Sequence, residues 1–357
     1  MPKKKNPLDG SMYNILWSPH RLSVAKACLR RYYYNYIRKP RPQYSVGPDV
    51  IAGKLLHERV ETFYKTAKIE SDNDEIVTVT TFGPKKNSAE EFAKSTVGMW
   101  KYWVAMHNAG EKTPSIRWKN KQDAYRIWAP LIRDISLKLY DVLKEEGPPL
   151  FSEFESPILT ANGMHMWGIM DQIRYPLTIR DFKSRKRQIS ETELKFDYQF
   201  TIYAAILSLM CSNDRDFALK VGATEDDLKL LKENPLGLLP KIKIEHFFLE
   251  TGYVKDRERL VCAIPAPSRD ENNFFEVLDV IDKLECDIES GDFVPYRTGY
   301  GCDFCFFNQL CTSDSEKNIL TRIPLQYDLF SPPKRIPVVN KSIKQLKLDF
   351  KAKKKEA

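Results

Sequence analysis

The chain has 357 residues, of which 42% are hydrophobic and 29% charged, ordinary figures for a soluble globular protein able to bury one large core or two smaller ones. Its formal net charge of +8 is concentrated at the ends: residues 331–357 hold nine Lys/Arg against Asp349 and Glu356, and Lys3, Lys4 and Lys5 add three more, which leaves residues 7–330 at −2. No apolar run reaches 18 residues and the start Met1–Asn6 lacks the apolar core of a signal peptide, so a membrane partner is excluded and a cytoplasmic protein is expected.

Ser18-Pro19 is a helix-start signal, serine as N-cap and proline in the first turn. The helix is expected to run through Leu22, Ala25 and Leu29 into the aromatic stretch Tyr32 to Tyr36. A second helix is predicted over Ile51–Thr66, with His57 and Glu61 four residues apart on one face. Residues 70–88 read as a polar loop, and 88–146 as a helical, tryptophan-rich insert (Trp100, Trp103, Trp118, Trp128). The period then shortens. Phe151–Thr160, His165–Tyr175 and Leu177–Lys183 predict a meandering sheet with breaks at Asn162-Gly163 and Pro176. Glu191–Met210 and Asn273–Glu289 predict helices, Lys241–Glu250 and Arg259–Ile264 strands. Beyond about Gln326 prolines and lysines replace periodic apolar residues, which predicts a disordered basic tail. Three domains of organisation follow: a basic N-terminal tail at 1–16, a folded region at 17–325 and the tail at 326–357. The tails supply solubility, or the charge that attracts nucleic acid.

Gly168-Ile169-Met170-Asp171 and Asp181-Phe182-Lys183 are separated by nine residues. On neighbouring strands joined by a tight connection, Asp171 and Asp181 can reach one point, and the two-residue period puts Asp181 and Lys183 on one sheet face. Oxygen ligands of this kind suit Mg²⁺ or Mn²⁺, which lowers the pKa of a bound water and stabilises charge on a scissile phosphate. The competing reading is a surface hairpin with an Asp–Lys pair.

Six segments in order carry a resemblance: Ser18-Pro19 through Cys28-Leu29-Arg30-Arg31-Tyr32, Gly53-x3-His57, Gly168-x2-Asp171, Asp181-Phe182-Lys183, Gln199-x3-Tyr203, and Cys302-x2-Cys305-x5-Cys311. Together they resemble the PD-(D/E)XK nuclease superfamily, specifically its RecB-type iron–sulfur nucleases, which include nuclease domains of AddB-type recombination proteins and exonucleases of CRISPR adaptation. The resemblance implies an α/β fold: a restriction-endonuclease-like mixed sheet flanked by helices, with an iron–sulfur clasp joining the N- and C-terminal segments; the helical insert at 88–146 is an addition outside the resemblance. It implies that His57, Asp171, Asp181 and the Phe182 carbonyl hold the metal and that Lys183 is the catalytic lysine. Gln199 and Tyr203 would steady the site and contact DNA. Glu153 or Glu155 would supply a further acid, and strand alternation puts both on one face.

Four cysteines, Cys28, Cys302, Cys305 and Cys311, can ligate zinc or a 4Fe–4S cluster. One remote residue plus a local triplet resembles the family's cluster, which would clip the first helix to the C-terminal segment. Cys211, Cys262 and Cys286 stand singly and read as reduced core residues. In the tail, Gln345-Leu346-Lys347-Leu348-Asp349-Phe350 resembles the hexapeptide that binds the bacterial sliding clamp, with Leu348 and Phe350 as apolar anchors. The expected protein is a Mg²⁺- or Mn²⁺-dependent deoxyribonuclease. It would act as an exonuclease on single strands or DNA ends in repair, recombination or phage DNA metabolism, in the nucleoid of a bacterial or phage-infected cell. The alternative is a non-cleaving DNA-binding adaptor recruited to a clamp, against which all four core positions are filled.

Overall fold

The structure is a computed structural model that describes residues 15–40, 45–65, 88–110, 115–161, 163–185, 189–251, 261–291, 293–295, 302 and 305–316. The N-terminal tail, nearly all of the expected 70–88 loop, and the C-terminal tail with Gln345–Phe350 lie outside these residues.

After a short strand β1 (Leu16–Trp17), Ser18 caps α1 (Pro19–Ala27) by accepting the Arg21 N–H at 3.3 Å. The expected continuous helix breaks at Cys28, whose backbone is extended (φ −170°, ψ 115°). The chain resumes as α2 (Leu29–Tyr32) and a widened π-helical turn, Tyr33–Arg38. Three consecutive residues of a regular helix span about 200° of its surface, yet Tyr32, Tyr33 and Tyr34 are all buried. The wider turn accommodates them. Next come β2 (Ser45–Val46), α3 (Pro48–Lys65), α4 (Ala89–Asn108), β3 (Ser115–Ile116) and α5 (Ala129–Glu146), with a second π-helical turn at Ala124–Trp128. A capping box between Ser88 and Glu91 starts α4 where the sequence predicts it.

The meander exists, but divided. The strands are β4 (Phe151–Glu155), β5 (Leu159–Ala161), β6 (Met164–Met166), β7 (Ile169–Arg174) and β8 (Thr178–Arg185). Pro157 has no N–H to extend the ladder beyond Ser156, and β5 and β6 leave the main sheet to pair with β1 in the order β1-β6-β5. The predicted helix Glu191–Met210 is two helices, α6 (Glu191–Lys195) and α7 (Tyr198–Asn213), because Asp197 accepts the Gln199 N–H at 2.8 Å and starts a new helix inside the apolar run. Buried Arg269 fixes this break, donating to Leu194 O and, at 3.0 Å, to Thr201 Oγ1. Two helices without a sequence expectation follow, α8 (Arg215–Val221) and α9 (Glu225–Glu233), then β9 (Lys243–Glu250), β10 (Val261–Pro265), α10 (Glu271–Glu289) and a last helix, Asn308–Glu316.

The main sheet has the order β10-β9-β8-β7-β4, with β8 and β9 parallel and the other pairs antiparallel. Helices cover both faces, as a mixed α/β sheet requires. On one face α3 and α5 bury Leu56, Val60, Ile135 and Leu139 against Phe182, Phe247 and Leu249. Arg180 fastens the end of α5 to the sheet through Glu146 and Glu245, a buried charge with a carboxylate on either side. On the other, α7 is buried almost all round, and α1 and α10 pack with it. Cys211 of α7 is a buried core residue as expected, whereas Cys262 is half-buried and Cys286 is exposed. Cys286 falls on the solvent side of the amphipathic α10, between the buried Leu284 and Ile288.

Candidate metal centre at the fork of β7 and β8

Register brings the acids together. β4 pairs with β7 through Ser152↔Gln172 and Phe154↔Met170, which sets Glu153 opposite Asp171. β7 pairs with β8 through Gln172↔Arg180, Ile173↔Ile179 and Arg174↔Thr178, and the same register continued sets Asp171 opposite Asp181. There the two strands part: the Phe182 N–H donates not to a strand carbonyl but to Asp171 Oδ2, at 2.6 Å. From α3, His57 reaches into this fork, its Nε2 3.2 Å from Asp171 Oδ2 and 3.5 Å from Glu153 Oε1. Gly53, one turn earlier, allows the approach, since a Cβ there would lie 1.9 Å from Ser184 Oγ of β8. Donor atoms of His57, Glu153 and Asp171 all lie within 4.8 Å of one another.

Asp181 stands beside this trio with a different set of partners. Its Oδ1 accepts from Gln199 Nε2 at 2.6 Å and from Lys183 Nζ at 3.2 Å. Its Oδ2 faces Lys183 Nζ at 2.9 Å as an ion pair, is buried, and has no hydrogen bond. Gln199 Nε2 also donates to Tyr203 Oη at 3.2 Å, and Tyr203 donates to the Ile169 carbonyl at 2.6 Å, so α7 braces both strands of the fork. Of the two acids expected from β4, Glu153 stands at the cluster. Its left-handed backbone (φ 47°) breaks the alternation that would align Glu155 with it, and Glu155 is exposed, opposite Ile169. At Phe182 it is the N–H that meets Asp171.

The electrostatics are those of a cation site. Burial alone would lower the pKa of His57, but the hydrogen bond and charge of Asp171, with Glu153 and Asp181 behind it, raise it to about 9. Burial raises the Asp181 carboxyl, Lys183 pulls it back, and Asp171 pushes it up again. Burial would also lower Lys183, but Asp181 and Asp171 outweigh it and keep the ammonium charged. Burial, Asp181 and Asp171 hold the Tyr203 phenol well above its usual range, so it stays a donor. His246 of β9, paired with Asp181 in register, is buried, with neither ring nitrogen hydrogen-bonded; burial, then Arg185 and Lys183, lower its pKa to about 4. Neither His246 nor Arg269 has a role that motif spacing reveals, because both reach the site only through strand pairing and helix packing. The nearest sequence signal for His246 was a lone histidine in the apolar run Ile244–Leu249.

A sequence model described as the PD-(D/E)XK nuclease superfamily matches residues 16–312. The chain belongs to the PD-(D/E)XK nuclease superfamily. Membership carries phosphodiester hydrolysis with divalent metals, and the residues present fit such an ion: three clustered nitrogen and oxygen donors, and beside them a buried carboxylate oxygen without a hydrogen bond. Solved structures that match include "Crystal structure of SSO0001", at 12% identity over 73% of this chain and 95% of that one, with a TM-score of 0.26, too low to support any structural argument. No curated protein matches the chain. Among the described residues no helix is long and apolar enough to cross a membrane.

The cysteine of the N-terminal helix break and the C-terminal triplet lie in one region of the fold. Cys28, Cys302, Cys305 and Cys311 are each half-buried. Burial raises the Cys311 thiol and Arg30 opposes it, while Cys28, Cys305 and Cys302 all lie near enough to raise it further. The junction has its own packing. Trp17 Nε1 donates to Glu285 Oε1 at 2.6 Å, Arg30 Nε to Phe293 O at 2.6 Å, and the Tyr34 and Phe307 rings lie 5.2 Å apart.

Gly168 gives a direct test of the α7 brace. A Cβ there would lie 2.6 Å from Tyr203 Cε1 and 3.2 Å from Cδ1. Gly168→Ala is therefore expected to displace Tyr203, costing about 1–3 kcal/mol by overpacking in thermal melts and slowing metal-dependent cleavage. An unchanged melting curve and rate would show that Tyr203 does not brace the site.

Proposed function

We propose that this nuclease is a Mg²⁺- or Mn²⁺-dependent deoxyribonuclease of the RecB-type iron–sulfur group, cutting exonucleolytically at single strands or DNA ends in repair, recombination or phage DNA metabolism. The observation that carries it is the fork: His57, Glu153 and Asp171 converge beside the Asp181–Lys183 pair. His57, Glu153, Asp171 and Asp181 Oδ2 would hold the ion, which when bound acidifies water and neutralises phosphate charge. Lys183 supplies a second positive charge from the protein, able to donate to the attacking water or to a phosphate oxygen. Gln199 keeps Asp181 oriented and Tyr203 keeps β7 in place. The test is incubation of anaerobically purified protein with end-labelled single- and double-stranded oligonucleotides, with Mn²⁺, with Mg²⁺ and with EDTA. Shortening from an end that needs the metal is expected; no cleavage under any condition would favour the non-cleaving adaptor.

The cysteine set supports a 4Fe–4S cluster as a structural clasp. Cys28 sits at the helix break and the triplet lies across the junction, so a shared cluster would pin α1 to the C-terminal segment. The sequence of the tail supports recruitment to a bacterial sliding clamp through Gln345, Leu346, Leu348 and Phe350, whose apolar side chains would enter a partner's groove. Deleting Gln345–Phe350 is expected to abolish clamp binding in calorimetry while leaving cleavage of short oligonucleotides unchanged. An intact protein without measurable clamp affinity would end the recruitment idea.

A further inference from the structure

Lys183 lines two clefts. The one under α3 carries Glu58 and Glu61 against Lys54 and Lys183, with His57 beside them, and so has no clear excess of positive charge. Between α1 and the α6–α7 break lies a groove of about 640 Å³ whose lining includes His20, Lys26, Arg185, Phe196 and Tyr198. Asp197 is the one carboxylate among its described lining residues, and it is engaged in capping α7. A polyanion is therefore drawn to the second cleft. That groove has the volume of a small-molecule site, enough to take in one unpaired nucleotide.

Phe196 occupies the α6–α7 break and is 63% exposed. The break is held rigid on either side, by the Asp197 cap and by buried Arg269 bonded to Leu194 and Thr201. The neighbouring Tyr198 ring is already covered by Lys26 Nζ at 3.8 Å, whereas Lys195 Nζ stands 5.8 Å from the Phe196 centroid. An exposed, rigid aromatic ring beside lysine and arginine is the arrangement by which proteins hold unpaired bases, ring on base and cation on phosphate.

We propose that this groove leads a single DNA strand to the metal centre, with phosphates on Lys26 and Arg185 and a base stacked on Phe196, and that Phe196 selects single-stranded over duplex DNA. The inference rests on the nuclease function proposed above. Its test is fluorescence anisotropy of the full-length protein without added metal, on labelled oligo(dT) and on a blunt duplex, alongside Mn²⁺-dependent cleavage. Phe196→Ala should weaken oligo(dT) binding about 5- to 150-fold, the equivalent of one lost stacking contact, and leave duplex binding unchanged. Phe196→Trp should restore it, which a merely structural role would not allow. Lys26→Gln should lower the salt slope of oligo(dT) binding by about one. Equal affinity of Phe196→Ala and wild type, or equal losses on single strand and duplex, would overturn the proposal even if the protein cleaves DNA. Phe196-dependent binding without cleavage would uphold the groove and overturn the hydrolase.

Discussion

Lys183→Met and Asp181→Asn are each expected to reduce metal-dependent DNA cleavage by at least about 10²–10³-fold, the loss typical when a charge-stabilising group is removed from an active site, with far-UV circular dichroism unchanged. The two residues form one unit. Asp181 is buried, its Oδ1 is held by Gln199, and Lys183 is charged because Asp181 and Asp171 surround it. Asparagine keeps the shape and an oxygen for the Gln199 bond while removing the charge that a metal needs. Alanine would leave Lys183 facing an empty, buried position, and a loss of fold would confuse the result. Methionine retains the stem of Lys183 and its packing but none of its charge. Cleavage by either variant at the wild-type rate would remove the Asp181–Lys183 pair from the chemistry, whatever His57 and Glu153 do.

The pair was legible in the sequence because a strand has a two-residue period, which puts Asp181 and Lys183 on one face, and because five other segments in the same order set this common triplet apart from a surface hairpin. His57 was named only through the resemblance, as part of Gly53-x3-His57, and the structure supplies the physical reason for that spacing: Gly53 lets α3 lie against Ser184 of β8. What spacing could not reveal was the choice between Glu153 and Glu155. Alternation treats them alike, and the choice turns on one left-handed residue in β4. Nor did apolar periodicity show the α6–α7 break. Asp197 and Ser190 both carry N-cap signals, but Asp197 lies within a stretch whose helical pattern runs on to Met210, and the interruption there is fixed by Arg269, 68 residues from its partner Thr201. The break matters for function because it aims Gln199 at Asp181 and leaves Phe196 facing the groove. Likewise the interruption at Cys28, invisible in a helical pattern that continues through Leu29, separates the cysteine from both flanking helices.

Protein purified without oxygen is expected to be brown, to absorb broadly near about 400 nm and to contain about four irons per chain, as a thiolate-held cubane would. Cys28→Ser and Cys305→Ser should each bleach it. Cys28 and Cys302 are 274 positions apart in sequence, so a cluster linking them closes a very long loop. In the chain-entropy picture, a covalent closure of that size contributes about 6 kcal/mol, which at this chain length corresponds to a fall of about 10 °C in melting temperature when it is lost. The Trp17–Glu285, Arg30–Phe293 and Tyr34–Phe307 contacts remain without the cluster, so the variants should melt early rather than fail to fold. Cys286→Ser is the control: this cysteine is exposed on α10, and its loss should change neither colour nor melting. If the purified protein is colourless and carries zinc, or if the Cys28 variant keeps its iron, the cysteines do not form this clasp.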